Sequence, residues 1–407
     1  MKGPFFLNDV QYAFLIGIQK QEKLCGVSCH IIAAFRSSGI DEEKLRDVWH
    51  KLAHRHEVLS SRIMSDGTVF FSDAHDPDRF FTVASGDSES YINSLKNRLM
   101  DIEDGGAAEL HLIKEAEGCT VVFECDCAAF DITSLQIFIR DMAAMYNGNE
   151  AELPVVPEGF FPYGEESHPA VPRAVKKADK SYWTERAGSF GTAPFEGIAD
   201  TCGTDIPAKY SSHSSVIGAD STAFIHETAE RLGVTEENVL LALFSKAAAK
   251  VCGREHFTLN IPVLDRSGAP AGLAGTAADY TSIIMFDTDV GPSADTDGFI
   301  RKTASEYAEA LEHRAFSGIK VQQLCGGDAS GNVTFSSHIH IDLGTDQIRQ
   351  AFGELSYIYT ETPNVVMDSE FFRCGDKMLL NLSTPDGVLP EGTEERLISE
   401  LLALMHS

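Results

Sequence analysis

A proline-rich stretch near the middle of the chain divides the sequence into two halves in which helical and strand-like segments alternate. Prolines accumulate there together with glycine and acidic residues, a composition typical of a linker: Pro154, Pro157, Pro162, Pro169 and Pro172. We predict a first lobe of residues 1–165, a linker of residues 166–180 and a second lobe of residues 181–407. We predict helices after residue 41, from Thr235 to Gly253 and from about residue 393, and strands at residues 68–71, 119–125, 257–263, 280–286, 333–343, 364–372 and 377–382. This alternation of helix and strand predicts mixed α/β layers in both lobes.

The charge of the chain excludes one large class of partner. The formal net charge is −28, and no run of lysine and arginine offsets it. Nucleic acid is bound by clustered cations, so we predict no nucleic-acid partner. The first thirty residues contain only a short apolar run, residues 14–18, which predicts neither a signal peptide nor a membrane span. Nine cysteines, an odd number, favour reduced thiols in a cytoplasmic protein.

One strand-to-helix turn combines side chains suited to acid–base chemistry. Residues 119–125 are β-branched and aromatic, and residues 134–146 have an amphipathic helical pattern, so the turn carries Asp126, Asp131 and Ser134. A carboxylate at the end of a buried strand can move a proton if burial raises its pKa. The alternative is structural, because Asp131 could cap the helix and Ser134 could bond back within the turn. The residues alone leave both interpretations open.

Metal and cofactor motifs give weaker signals. His338, His340 and Asp342 alternate along another predicted strand and could offer three metal ligands on one face. A surface strand has the same alternation and no second cluster has ligand spacing, so we predict no metal site. The sequence contains neither a Walker phosphate loop nor a G-x-G-x-x-G motif, so ATP, NAD and flavin are not predicted.

The spacing D-x-x-x-x-D-x-x-S at residues 126–134 resembles the signature of heterocyclization domains of nonribosomal peptide synthetases. These domains are relatives of condensation domains, which have H-H-x-x-x-D-G at that position. Residues 257–260, F-T-L-N, repeat another motif of the family, and residues 279–282, D-Y-T-S, resemble its G-D-F-T-S motif. Further segments resemble family motifs in the same order along the chain: residues 7–14, 26–30, 55–67, 313–318, 362–368 and 387–392.

This resemblance implies a fold and a reaction. The implied fold is α/β, a pseudodimer of two chloramphenicol-acetyltransferase-like lobes that form a V with a central tunnel. The implied reaction joins an acyl thioester to the amine of a Cys, Ser or Thr thioester. The side-chain thiol or hydroxyl then closes onto the new amide carbonyl, and loss of water gives a thiazoline or an oxazoline. Both substrates travel on phosphopantetheine arms of carrier proteins, and no bound cofactor is implied.

The resemblance also assigns residues to the site. Its dehydration pair, a Thr and an Asp, falls on Ser336 and Asp368, where serine keeps the hydroxyl but loses the methyl group that restricts χ1. Asp126 and Ser134 are expected nearer the tunnel than Asp131, which we interpret as an anchor that bonds a buried cation or the turn. The predicted catalytic residues are Asp126, Asp131, Ser134, Ser336 and Asp368, and the predicted substrate-binding residues are Asn260, Thr281 and Ser282.

Ser336 and Ala315 depart from the family pattern and keep other functions open, and a further departure is at residue 278. Ala278 stands where a glycine is usual, and Ala315 replaces the second histidine of H-R-H. Neither an adenylation domain nor a carrier motif is present, so we expect a free-standing enzyme that acts on separate donor and acceptor carrier proteins. The alternatives are an enzyme that stops at the amide and a catalytically silent homologue that organises a biosynthetic assembly by binding.

Overall fold

A computed structural model describes residues 2–20, 23–156, 172–197, 207–264, 266, 275–291, 295–325 and 332–406. In these ranges the helices are α1 Asp9–Gln19, α2 Glu42–Arg55, α3 Ser88–Leu95, α4 Ile132–Asn147, α5 Arg173–Ala187, α6 Ala219–Leu232, α7 Glu236–Cys252, α8 Thr296–Glu312, α9 Gly318–Leu324, α10 Asp346–Phe352 and α11 Thr393–Leu404. The strands are β1 Lys2–Phe6, β2 His30–Ser37, β3 Ser61–Ile63, β4 Thr68–Phe71, β5 Phe81–Ser85, β6 Ala108–Lys114, β7 Cys119–Asp126, β8 Tyr210–Ile217, β9 His256–Leu264, β10 Thr281–Asp289, β11 Val333–Asp342, β12 Glu354–Glu361, β13 Met367–Cys374 and β14 Lys377–Pro385.

The first half of the chain buries both faces of one sheet. Its strands are ordered β12-β2-β7-β6-β5. The same half of the chain also forms a small three-stranded sheet with the order β1-β4-β3. Alternate residues of β2 enter different cores, because Ile31 and Phe35 pack with residues of α2 and α4 whereas Ile32 packs with residues of α3. Burial on both sides explains why every residue of β7 is buried, the polar Thr120 and Glu124 included.

The second half has a six-stranded sheet with helices packed against it. The strand order is β10-β9-β11-β13-β14-β8, with β11 parallel to β9 and β13. Leu240 of α7, Phe299 of α8 and Leu397 of α11 belong to the core that covers this sheet. Helix α7 begins at an N-cap, Thr235, that forms a capping box, and it ends at Gly253 in the left-handed conformation. Both ends of this helix were predicted from the sequence and are confirmed.

A strand from the second half completes the first sheet. Strand β12 follows β11 and α10 in the chain, yet it pairs antiparallel with β2, from Glu354 opposite Arg36 to Glu361 opposite His30. Phe352, at the end of α10, packs in the core of the first half. The predicted second lobe of residues 181–407 is therefore corrected, because residues 346–361 pack with the first lobe. The physical reason is that the edge of β2 would otherwise leave a row of backbone groups without a ladder.

The predicted linker is described only in part. Residues 166–171 lie outside the described residues, as does the predicted end of the first lobe at residue 165. Residues 173–180 lie in α5, not in an extended connection, and this helix buries Asp179 and Trp183. Proline at position 172 is compatible with this start. The backbone N–H groups at the beginning of a helix have no partner within the helix, so a residue that lacks an N–H breaks no helical hydrogen bond there.

The remaining predicted elements agree closely with the structure. The predicted strands at residues 68–71, 119–125, 257–263, 280–286, 333–343 and 377–382 are confirmed, as are the helices after residues 41 and 393. The strand predicted at residues 364–372 begins only at Met367. No disulfide links the described cysteines, and Cys202 lies outside them. Among the described helices, none combines the length and the apolar character that crossing a membrane requires.

Candidate active site

A cavity of about 220 Å³ lies between the two sheets and is lined by both halves of the chain. The first half contributes apolar side chains to its wall, among them Phe14, Phe130 and Ile132. The second half contributes a polar wall, because alternate residues of neighbouring strands share one face. This polar wall consists of Thr334, Ser336 and His338 on β11, Thr360 on β12, Thr362 after it, and Asp368 and Glu370 on β13.

Asp368 presents one oxygen of its carboxyl group without a protein partner. Its side chain is 3% exposed, and its Oδ2 atom accepts a hydrogen bond of 2.6 Å from the Thr362 hydroxyl. Its Oδ1 atom has no hydrogen-bond partner among the described residues. Burial, and next the negative charge of Glu370, raise the pKa of Asp368 to about 7. A carboxyl group with this pKa can give or accept a proton near neutral pH.

Ser336 lies on the same wall, but a different carboxyl group is beside it. In the parallel ladder of β11 and β13, Ser336 is in register with Glu370, and Asp368 is in register with Thr334. Sequence reasoning did not include Glu370. The signal was present, since Asp368 and Glu370 are two residues apart in a predicted strand and must share a face.

Asp131 lines the cavity, and a cation holds it. The Arg266 guanidinium lies 2.7 Å and 2.9 Å from the two carboxyl oxygens of Asp131. Asp131 is also the N-cap of α4 and accepts the backbone N–H of Ser134 at 2.7 Å. This geometry agrees with the interpretation of Asp131 as an anchor, and it identifies the partly buried Arg266 as the cation.

Ser134 ties the start of α4 to the segment before β10. Its hydroxyl donates to the carbonyl of Ala278 at 2.6 Å and accepts the N–H of the same residue at 2.8 Å. Ser134 is completely buried and is not among the residues that line the cavity. Both contacts use backbone atoms of residue 278, so they do not require the glycine that is usual in the family at this position.

The expected position of Asp126 is corrected by the structure. We expected Asp126 and Ser134 nearer the tunnel than Asp131, and the order is the reverse, since Asp131 lines the cavity and the other two do not. The turn that follows β7 folds back over Asp126, whose Oδ1 atom accepts the N–H of Ala128 at 2.9 Å. Burial raises the pKa of Asp126 to about 6. Both Asp126 and Asp368 were predicted to be catalytic, but only Asp368 lines the cavity.

Two of the three predicted substrate-binding residues line the cavity, and the alternation of side chains along β10 explains why the third does not. Asn260 of β9 and Thr281 of β10 line the cavity. Ser282 does not, because successive side chains of β10 point to opposite faces and its neighbours Thr281 and Ile283 occupy the cavity side. The prediction for Ser282 is therefore corrected.

The two histidines that we considered as metal ligands have different surroundings. His338 faces the cavity, 3.4 Å from Glu370, whereas His340 is outside the lining, and the β11–β13 register shifts between His338 and Asp342. Within the described ranges, the ligand-type side chains close enough to share an ion are Glu109, His111 and Glu124. The Arg98 guanidinium already contacts these two glutamates, at 2.8 Å and 2.6 Å. An arginine therefore already pairs with both glutamates of that cluster.

Comparison with known proteins identifies relatives along nearly the whole chain. The family model described as the condensation domain matches residues 18–369. The chain is 24% identical over 411 residues to phenyloxazoline synthase MbtB of Mycobacterium sp. (strain MCS), covering 98% of this chain and 35% of that protein. It is also 24% identical over 418 residues to pyochelin synthetase PchE of Pseudomonas aeruginosa, covering 99% of this chain and 29% of that protein. The chain thus spans about a third of the length of these curated relatives.

Solved structures share its fold. The EpoB NRPS cyclization-docking bidomain from Sorangium cellulosum superposes with a TM-score of 0.83 at 20% identity, covering 99% of this chain and 84% of that one. The first condensation domain of the CDA synthetase superposes with a TM-score of 0.77 at 16% identity, covering 99% and 95%. These matches bear out the predicted α/β fold of two chloramphenicol-acetyltransferase-like lobes.

Proposed function

The chain belongs to the condensation-domain family, and from this premise we propose that it joins two carrier-bound thioesters and closes the product into a thiazoline or oxazoline. The observation that carries the proposal is Asp368, a buried carboxyl group that faces the cavity between the two halves with its Oδ1 atom unpartnered among the described residues. The names of two relatives, a phenyloxazoline synthase and a cyclization-docking bidomain, support a ring-closing reaction over a simple condensation.

Amide formation asks little of the protein beyond positioning. Two thioesters held on carrier arms and meeting in one cavity react as if they were one molecule, which removes most of the entropic cost of their encounter. The apolar wall that includes Phe14, Phe130 and Ile132 excludes water, which would otherwise hydrolyse the thioesters. The acceptor amine attacks the donor thioester carbonyl, the C–S bond breaks, and the carrier thiol leaves with a proton.

Ring closure and dehydration require proton transfer. The thiol or hydroxyl of the acceptor side chain adds to the amide carbonyl, which becomes a ring carbon that bears a hydroxyl group. This hydroxyl must then leave as water while the ring nitrogen loses its proton. Asp368, with a pKa raised to about 7 by burial, is suited to exchange a proton with this ring, and Ser336 on the neighbouring strand supplies a hydroxyl that can orient it.

The proposal is tested with separately prepared carriers, one loaded with an acyl group and one with Cys, Ser or Thr, and the products are read by intact mass. The wild-type chain should give the amide and then the loss of one water. Asp368→Asn should keep amide formation and slow the loss of water about a hundredfold. Ser336→Ala should slow the same step. Ser337→Ala is the matched control, because Ser337 is the next residue on β11 and does not line the cavity.

Each alternative predicts a different result in this assay. An amide without water loss in any pairing supports an enzyme that stops at condensation. Absence of any product favours a scaffold without catalysis. Equal loss of amide and ring in Asp368→Asn would contradict the role given to Asp368.

A further inference from the structure

Asp368 has a second carboxyl group beside it on the wall of the same cavity. Glu370 is two residues further along β13, so both side chains project from one face at a spacing of about 6.6 Å between their Cα atoms. Both line the cavity, and Glu370 is 6% exposed. The Thr360 hydroxyl donates a hydrogen bond to Glu370 Oε2, as the Thr362 hydroxyl does to Asp368 Oδ2.

This pair differs from three other buried carboxylates of the protein, each of which contacts an arginine. Asp131 contacts Arg266, Glu124 contacts Arg98, and Asp141 contacts Arg55 and Arg140. Within the part of the chain that the structure describes, no lysine or arginine forms an ion pair with Asp368 or Glu370. Their hydrogen-bond donors are the two threonine hydroxyls, which are neutral.

The surroundings therefore favour one negative charge over two on this pair. Two carboxylates in one buried site cannot both ionise without a cation, because each disfavours the charge of the other. Burial raises the pKa of Glu370 to about 8, above that of Asp368. Near neutral pH, the Glu370 side chain carries a proton while the Asp368 side chain is partly ionised.

The titratable groups that face the pair do not supply the missing positive charge. Burial lowers the pKa of His338 to about 4, so its imidazole is neutral near pH 7. The other groups that interact with the pair or with His338 are the acids Glu237 on α7, Asp131 of the first half and the Cys29 thiol, together with His340 on β11, whose pKa burial lowers. His338 Nε2 lies 3.4 Å from Glu370 Oε1, and its ring packs on Phe372 with centroids 5.2 Å apart, which positions the Glu370 carboxyl group.

We propose that Glu370 and Asp368 are the acid and the base of the dehydration step, with His338 as a positioning residue; this inference rests on the proposed function. Glu370 donates its proton to the ring hydroxyl, and the C–O bond breaks to release water. The nitrogen lone pair forms the C=N bond, and the N–H proton passes to Asp368. One proton has entered and one has left the ring, so the step is balanced. The released water can return the proton from Asp368 to Glu370.

The register of the strands supports this assignment of Glu370. Ser336, the hydroxyl that the family resemblance pairs with Asp368, is beside Glu370 in the ladder, so the hydroxyl and both carboxyl groups lie on one small patch of wall. A ring held there meets a proton donor and a proton acceptor from the same strand.

The test compares Glu370→Gln with the wild-type chain in the carrier assay. Glutamine keeps the size and accepts the Thr360 hydrogen bond but cannot donate an acidic proton. We expect amide formation to stay within about twofold and the loss of water to slow about a hundredfold. Retained amide formation also reports that the variant is folded. Glu361→Gln is the matched control, since Glu361 is a buried carboxyl on β12 with a pKa raised to about 7 by burial but lies outside the cavity lining.

The pH dependence distinguishes a catalytic acid from a structural one. Because the protonated form of Glu370 is required, the wild-type rate of water loss should fall as the pH rises through about 8. The residual rate of Glu370→Gln should lack this decrease. An unchanged rate of water loss in Glu370→Gln, or an alkaline decrease that persists in it, overturns the inference and leaves the proposed function intact. Absence of ring product from the wild-type chain overturns both.

Discussion

Asp131 and Asp368 show that the residues around a carboxyl group determine its role. Both are aspartates on the wall of one cavity. Arg266 contacts both oxygens of Asp131 and gives this carboxylate an anchoring role. Asp368 accepts a hydrogen bond from the neutral Thr362 hydroxyl, and burial raises its pKa. The difference between anchor and candidate acid therefore lies in the cation, not in the residue type.

Arg266→Met tests the anchor. The substitution leaves Asp131 buried without a cation, so we expect the free energy of unfolding to fall by about 3–5 kcal/mol. Urea denaturation measures this loss. Arg186→Met is the control, because Arg186 pairs with Glu309 at the surface, where solvent screens the interaction and the loss should be much smaller. Similar losses in the two variants would contradict an anchoring role for Arg266.

At the scale of elements, strand β12 is the feature that joins the two halves. It is reached through Gly353, which has φ of +85° and ψ of −155°, a region that is essentially restricted to glycine. A Cβ atom at this position would overlap the backbone carbonyl of Arg36 on β2. The glycine is therefore required both by its backbone angles and by the close approach of β12 to β2.

Gly353→Ala is expected to lower the free energy of unfolding by about 2–5 kcal/mol, because it adds backbone strain and a steric clash. Chemical denaturation measures this change. Gly218→Ala serves as the control: Gly218 has a φ of −65°, and an added Cβ atom meets nothing within 4 Å. If both variants were equally stable, β12 would not depend on the geometry of Gly353.

The element scale also shows where sequence reasoning was sufficient. The strand-turn-helix of residues 119–147 and the capped helix α7 were predicted because their signals are local: apolar periodicity, an N-cap and a terminal glycine. Strand β12 was not predicted. Its partner, β2, lies more than 300 residues earlier in the chain, and local patterns contain no information about such a pairing.

At the scale of the whole molecule, several contacts connect the halves around the cavity. Strand β12 completes the first sheet, and the Ser134 hydroxyl binds the backbone of Ala278. On another side, the Asn97 side chain exchanges hydrogen bonds with the backbone of Tyr210. The cavity is thus enclosed by two halves that are bonded to one another, and its shape depends on both.

We expect thermal unfolding to be one cooperative transition, because neither half keeps its sheet or its cavity contacts when the other unfolds. Differential scanning calorimetry should give a calorimetric enthalpy that equals the van't Hoff enthalpy. Two resolved transitions would indicate that each half is stable alone and that β12 contributes little to the coupling. Gly353→Ala, which weakens the pairing of β12 with β2, should move the calorimetric unfolding profile toward two transitions.

The sequence by itself determined the alternation of helices and strands, the turn that carries Asp126, Asp131 and Ser134, and the likeness to heterocyclization domains. These features depend on residues that are close together in the sequence, and their spacing determines which side chains share a face. Only the tertiary structure decided that Asp126 is covered, that Asp131 meets Arg266, and that Glu370 stands beside Ser336 without a cation. The reason is physical: burial and charge compensation depend on residues brought together from distant parts of the chain, and they set which carboxyl group can move a proton.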